Sequence, residues 1–165
     1  MLYYLVSGVS VYFVDDVKNI SLFLQEFKPN LMTTVPRVLE KVYGKINLAL
    51  DNNNLIKKTL AKIAINRAIN NHPFEQKNFL SKIIDRFFDA TVYHKFRQAL
   101  GGNMRMIISG GAPLSLDLQK FYFNIKINVY CGYGLTEASP VIATNCPSNF
   151  KLDSVGKVFN SSNII

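Results

Sequence analysis

MRMIISGGAPLSLDLQKFYFNIKINVYCGYG, residues 104–134, reads as strand, tight turn, helix and strand. Met104 to Ser109 (MRMIIS) reads as a strand. Gly110-Gly111-Ala112-Pro113 breaks that run and marks a turn. Ser115 supplies a capping hydroxyl and Asp117 a carboxylate for a first helical turn, so Ser115 to Phe123 reads as a helix. Ile127 to Cys131 is the next strand and runs straight into Gly132-Tyr133-Gly134. Strand, helix and strand at this spacing predict a βαβ unit with parallel strands, and hence an α/β fold.

Upstream, the spacing predicts a similar unit. Val9 to Val14 (VSVYFV) is β-branched and aromatic, as in a buried strand. Ile20, Phe23, Leu24 and Phe27 repeat at helical spacing, and Lys28-Pro29-Asn30 ends that helix. Leu31 to Val35 reads as the second strand. Thr34 and Pro36 mark the start of a further helix, through a capping hydroxyl and a fixed φ. Its apolar face is Val38, Leu39, Val42, Tyr43 and Ile46, and Asp51 to Asn54 is a turn. Between the two units lies a helical, basic insert from Leu55 to about Leu100, broken near His72-Pro73 and closed by Gly101-Gly102-Asn103. After Pro140 periodicity is lost, and no internal repeat or low-complexity segment stands out.

Composition bounds the function. An apolar fraction of 48% in 165 residues is enough for one core, which argues against disorder. The formal charge of +8 favours an anionic partner without choosing among nucleic acid, lipid and phosphate-bearing small molecules. Two cysteines, Cys131 and Cys146, with His72 and His94, make neither a disulfide framework nor a structural zinc site. Met1 to Val14 is almost wholly apolar, but Gly8 splits it and its charges, Asp15 and Asp16, follow rather than precede it. It fits neither a signal peptide nor the roughly 20 residues of a membrane span, and reads as buried core.

Two glycine-rich turns follow predicted strands, where open α/β sheets bind their ligands. Gly110 and Gly111 let a backbone approach a flat or charged ligand, although a plain strand-to-helix turn would look the same. In Gly132 to Glu137 the chemistry is denser. Tyr133 offers an aromatic face, Thr136 a hydroxyl suited to a phosphate oxygen, and Glu137 a carboxylate of the kind that holds Mg²⁺ with substrate phosphates. A loop in which Thr136 and Glu137 merely cap a helix fits equally well.

SGGAPLS at Ser109 to Ser115, followed by GYGLTEASP at Gly132 to Pro140, resembles the paired motifs of the adenylate-forming superfamily. That superfamily includes acyl-CoA synthetases, luciferases and adenylation domains. TTVPRVLEKVYGKI, Thr33 to Ile46, resembles the long-chain fatty acyl-CoA synthetase branch, and SVGKVFN, Ser154 to Asn160, is similar to the segment that follows the second motif. The resemblance implies part of the large N-terminal domain of such an enzyme. It implies that Gly110, Gly111, Ala112 and Pro113 line the adenine pocket and that Tyr133 stacks on the base, with Gly134 beside it. It implies that Thr136 contacts the phosphate, that Glu137 holds Mg²⁺, both being catalytic, and that Gly132 borders the acyl pocket. Cys131 departs from the Gln or Glu common before GYG, and Val158 stands where Pro is common.

The substrates so implied are ATP, a fatty acid and CoA, with Mg²⁺, and the implied location is cytoplasmic or peripheral on a membrane. The phosphate loop, the ribose-binding Asp and the C-terminal Lys of the family have no counterpart here, so residues 1–165 read as a partial domain, inactive alone. Two other readings stay open: an acyl-AMP ligase that loads a carrier protein, and a non-catalytic remnant that binds membrane or a partner through its basic helices. From Lys57 to Arg97 there are nine Lys/Arg against three acids, Glu75, Asp85 and Asp89, with Phe79, Ile83, Phe87 and Phe88 along one helical side. A membrane-surface helix and a solvated face over a core both fit that pattern. No nucleic-acid module is recognisable, so nucleic acid is not expected as a partner.

Overall fold

The computed structural model describes residues 6–51, 54–138 and 141–159. The parallel strands form as expected. β1 (Leu31–Thr34) pairs with β2 (Met106–Ser109), and β2 with β3 (Asn128–Tyr133), all parallel and in the register Thr34, Ser109, Cys131. Ile107 and Val129, register partners across β2 and β3, are fully buried and place the core against this face of the sheet. Beyond Pro140, where no element was expected, two-residue strands β4 (Ala143–Thr144) and β5 (Lys157–Val158) continue the sheet, β4 antiparallel to β3 and β5 antiparallel to β4, giving the order β1-β2-β3-β4-β5.

Helix α1 (Ile20–Phe27) ends at Lys28, whose left-handed φ of 44° turns the chain toward β1. The crossover from β1 to β2 carries α2 (Pro36–Asp51), α3 (Leu55–Asn70), α4 (Phe79–Phe88), a π-helical turn (Asp89–Tyr93) and α5 (His94–Ala99). Between β2 and β3 lies α6 (Leu116–Asn124), where Ser115 Oγ accepts from the Leu118 N–H as the sequence suggested. Ala61, Ala64 and Ala68 form a small-residue stripe on α3 that lets α6 approach closely, and all three are buried. Tyr122 on α6 spans the core to donate its hydroxyl to the Leu39 carbonyl at 3.0 Å.

Three expectations fail. Val9 to Val14 is not a strand: it runs without regular structure, and Phe13 is 65% exposed. A β-branched run needs a pairing partner, and among the described residues no strand pairs with the outer edge of β1; Tyr12 instead stacks on Phe27 at 4.0 Å. The first βαβ unit is therefore absent among the described residues, and residues 6–14 are mostly exposed rather than core. Thr34 does not cap α2; it closes β1, and the first helical turn is joined by Val38 N–H to the Val35 carbonyl. Residues 1–5 of the apolar N-terminal stretch, and Asn52 and Asn53 of the expected turn, lie outside the described residues.

Candidate active site

The carboxyl ends of β1, β2 and β3 meet at one edge of the sheet. Gly110 leaves β2 with its N–H bonded to the Thr34 carbonyl at 3.2 Å. A Cβ built on Gly110 would lie 3.8 Å from the Gly132 carbonyl oxygen, so the turn after β2 lies beside the end of β3. Gly111 has φ of 82°, a conformation that selects glycine, and a Cβ there would rest 3.7 Å from Val35 Cγ1. Ala112 and Pro113 are exposed. The turn is anchored from below: Leu114 is buried, and Gln119 Nε2 donates to its carbonyl at 2.9 Å.

Along β3, Cys131 is buried beside Ser109, and burial pushes its thiol up. Gly132 sits in the ladder opposite Thr144; a Cβ there would meet Ala143 O and Thr144 Oγ1 at 3.6 Å, which is ordinary contact. Tyr133 has its backbone fixed by Ile142 N–H at 2.9 Å, while its side chain is 50% exposed. Gly134 and Leu135 lead to a 3-10 turn, Thr136–Ala138, in which Thr136 and Glu137 are exposed. Among the described residues neither has a hydrogen-bond or ion-pair partner, and nothing bonds them to the Gly110–Pro113 turn. Ser139 and Pro140 lie outside the described residues.

The structure thus brings Gly110 to Gly132 and sets Tyr133, Thr136 and Glu137 next along the chain. Sequence reasoning missed the residues that hold this edge. Asn145 is buried; its N–H bonds the Cys131 carbonyl at 3.0 Å, and its side chain bonds the Lys151 and Ser154 carbonyls at 3.1 and 2.6 Å. Gln119 Oε1 accepts from Asp153 N–H at 3.1 Å. Gly156, at φ of 84°, packs against the Thr144 backbone, where a Cβ would collide. A polar residue at a core position of a helical pattern, as Gln119 is, was the one available signal. Ser109 Oγ is also buried, without a partner among the described residues.

A cavity of about 560 Å³ lies away from this edge, near the amino end of β3. Its carboxylates are committed. Asp85 takes Arg67 at 2.7 Å and Lys77 at 2.6 Å; Asp89 takes Arg97 at 2.6 Å and Lys126 at 2.5 Å. Burial raises both carboxyls, but the hydrogen bonds and charges of these cations outweigh it and hold both below the usual carboxylate range. Tyr93 donates to the Ala64 carbonyl at 2.8 Å, and burial pushes its phenol up to about 12.

Parallel strands whose carboxyl ends carry glycines side by side, with open aromatic, hydroxyl and carboxylate groups beyond them, make this edge a candidate ligand site of the open α/β class. Residues 1–164 match the AMP-binding enzyme family, and the chain belongs to that family. A long-chain-fatty-acid–CoA ligase of Mycobacterium bovis is 39% identical over 155 residues, covering 92% of this chain and 25% of that protein. Long chain acyl-CoA synthetase 5 of Arabidopsis thaliana is 34% identical over 154 residues, covering 93% of this chain and 22% of its own length. The chain spans about a quarter of the length of these curated relatives. Among solved structures, the A domain of carboxylic acid reductase from Segniliparus rugosus, in complex with AMP and a co-purified carboxylic acid, superposes with a TM-score of 0.56 at 22% identity. It covers 92% of this chain and 20% of that one. The resemblance carried by SGGAPLS and GYGLTEASP, and the α/β fold it implied, are borne out.

Proposed function

We propose that this chain contributes the adenylate-binding part of an ATP-dependent long-chain fatty acid–CoA ligase, as one portion of a larger adenylation domain. The observation that carries the reading is the contact of Gly110 with Gly132 at the carboxyl edge of the parallel strands. In this reading the backbone of Gly110, Gly111, Ala112 and Pro113 lines the adenine, Tyr133 stacks on it beside Gly134, and Gly132 borders the acyl chain. Thr136 donates to a phosphate oxygen. The fatty acid carboxylate attacks the α-phosphorus, pyrophosphate leaves, and the thiol of CoA then displaces AMP from the acyl-adenylate. The protein's part is positioning and charge neutralisation.

Mg²⁺ fits the donor set. Glu137 is one exposed carboxylate committed to no ion pair among the described residues, and Mg²⁺ is held by one or two carboxylates together with substrate phosphates. No group of three or more metal-ligating side chains occurs among the described residues, so the phosphates would complete the shell. When bound, the ion neutralises charge on the leaving pyrophosphate.

Fatty-acid-dependent pyrophosphate release tests the reading, run on the chain alone and on a longer ligase that carries it. Release should be at background for the chain alone and clear for the longer protein; no release from the longer protein would overturn it. Transfer to a carrier protein but not to CoA would select the acyl-AMP ligase alternative. No described helix is long and apolar enough to cross a membrane. A cytoplasmic enzyme in peripheral contact with a membrane is the further part of this reading, in keeping with the exposure of Phe79, Leu80, Ile83 and Phe87 on α4.

A further inference from the structure

Two buried amides connect the two sides of the candidate site from behind. On α6, Gln119 Nε2 donates to the Leu114 carbonyl at 2.9 Å, where the Gly110–Pro113 turn ends, and Gln119 Oε1 accepts from Asp153 N–H at 3.1 Å. Asn145 takes up the same loop one residue on. Its side chain donates to the Ser154 carbonyl at 2.6 Å and the Lys151 carbonyl at 3.1 Å, and accepts from Lys151 N–H at 3.2 Å. Its own N–H donates to the Cys131 carbonyl at 3.0 Å, directly before Gly132 and Tyr133. Hydrogen bonds and short pieces of backbone therefore link Leu114 to Cys131 through Gln119, residues 153–154 and Asn145. The loop in between is held in an uncommon shape: Asp153 has φ of 56° and Gly156 φ of 84°, both left-handed. A non-glycine residue stays in that region when its surroundings hold it, and the Gln119 amide holds the Asp153 N–H. Leu118, Phe121 and Tyr122 on α6 are buried with Gln119, so packing alone would favour an apolar side chain at 119. Gln119 and Asn145 are buried within this chain, and the partners named are backbone groups of the chain itself.

We propose that Gln119 is a positioning residue of the adenylate site: through this bridge it keeps the backbone of Gly110–Pro113 and that of Gly132–Tyr133 at the spacing that a flat base between them requires. Gln119 touches no ligand itself and acts through Leu114 and Asp153. The proposal rests on the adenylate-binding reading, which assigns those two backbones to one ligand. A fixed seat for the nucleotide strengthens its binding alike in the ground state and the transition state. Loss of the bridge should therefore appear in the KM for ATP and not in kcat.

Steady-state pyrophosphate release by a longer ligase carrying this segment, measured well below its melting temperature, tests it. Gln119→Met keeps the size of the side chain and removes both bonds. It should raise the KM for ATP roughly tenfold, as for the loss of one or two hydrogen bonds, and leave kcat and the KM for fatty acid within about twofold. Asn145→Ala should raise the KM for ATP similarly, and the double variant no further, because a bridge cut at one point is already cut. Gln119→Glu keeps the acceptor for Asp153 but sets a carboxylate against the Leu114 carbonyl. Its KM for ATP should be raised at neutral pH and fall back toward the parent value as the carboxyl protonates and regains a donor. An unchanged KM for ATP in Gln119→Met, with a lowered melt, would make Gln119 support for the fold alone and overturn the proposal. Additive effects in the double variant would overturn the bridge. Should Gln119→Met or Asn145→Ala not fold, Gln119→Glu decides, and a KM for ATP that follows the parent's at every pH overturns the proposal. A parent ligase with no fatty-acid-dependent release would instead overturn the adenylate-binding reading, and this assignment with it.

Discussion

The amino end of β3 and the carboxyl end of the same strand are built on opposite rules. At the amino end, Asp85 and Asp89 each hold two cations, one from a neighbouring segment and one from farther along the chain, and side chains close the gaps between α3, α4, α5 and the turn before β3. At the carboxyl end the backbone is held just as firmly, by Thr34, Ile142 and Asn145, but Tyr133, Thr136 and Glu137 are left without side-chain partners among the described residues. Polar groups that satisfy one another stabilise a fold. Polar groups held in place by their backbone and left open are available to a ligand, at little loss to the fold.

The largest expected effect separates the two ends by what each change damages. In a longer ligase carrying this segment, Glu137→Gln should lower adenylation by at least about 100-fold, since each 1.36 kcal/mol is tenfold and charge neutralisation at phosphates is worth several kcal/mol. Its melting temperature should hardly move, because an exposed carboxylate with no partner supports no packing. A near-normal rate at saturating Mg²⁺-ATP, together with a lowered melt, would make Glu137 a structural residue and erase the contrast.

Asp85→Ala should do the reverse. It takes the counter-charge from Arg67 and Lys77, whose side chains are only 24% and 23% exposed and which keep only neutral partners, Ser81 and Asn124. Breaking a fully buried pair costs roughly 3–5 kcal/mol, and partial exposure reduces that to about 2 kcal/mol here. Denaturant unfolding should show the loss, with adenylation per folded molecule unchanged.

A smaller effect should follow pH. The folded carboxyls of Asp85 and Asp89 are depressed relative to an unfolded value of about 3.9, so their stabilisation is present above that value and is lost as pH falls through the folded ones. The melting temperature should drop steeply below about pH 4, and less steeply with Asp85→Asn and Asp89→Asn together. An acid limb of unchanged slope in that double variant would show the two clamps to be energetically idle.

Local signals in the sequence were legible, and signals that depend on distant partners were not. The strand-turn-helix-strand around Gly110, the Ser115 cap and the helical insert with its break at His72-Pro73 are written in neighbouring residues, and all of them form. Val9 to Val14 carries strand propensity, yet pairing is a property of the sheet and not of the run. Gln119 meets Asp153 across 34 positions and Asp89 meets Lys126 across 37, so neither contact could be read from spacing. For α4 the sequence reading put Phe79, Ile83, Phe87 and Phe88 on one side, but Phe88 is buried while the other three are exposed; the bonds of Arg67 to Asp85 and Ser81 fix which face turns inward. The backbone needed for the candidate site was therefore visible early, while the residues that brace it from behind were not.

The smallest expected effect tests the contrast at its sharpest point, Ser109. The hydroxyl is buried at the carboxyl end of β2, between Thr34 and Cys131 in the register, and has no partner among the described residues. Among the described residues Asn47 Oδ1, on α2, is also buried without a partner, so the pattern is not exclusive to the candidate site. An unsatisfied buried hydroxyl is unfavourable by about 1–3 kcal/mol, and removing it without changing shape is nearly neutral or stabilising. Ser109→Ala should therefore leave stability unchanged or raise it by up to about 1 kcal/mol in denaturant unfolding. If the hydroxyl is kept open because a ligand uses this edge, the same variant should weaken AMP binding several-fold by titration calorimetry. A loss of stability would mean that the hydroxyl is satisfied within the fold, and Ser109 would then belong with Asp85 rather than with Glu137.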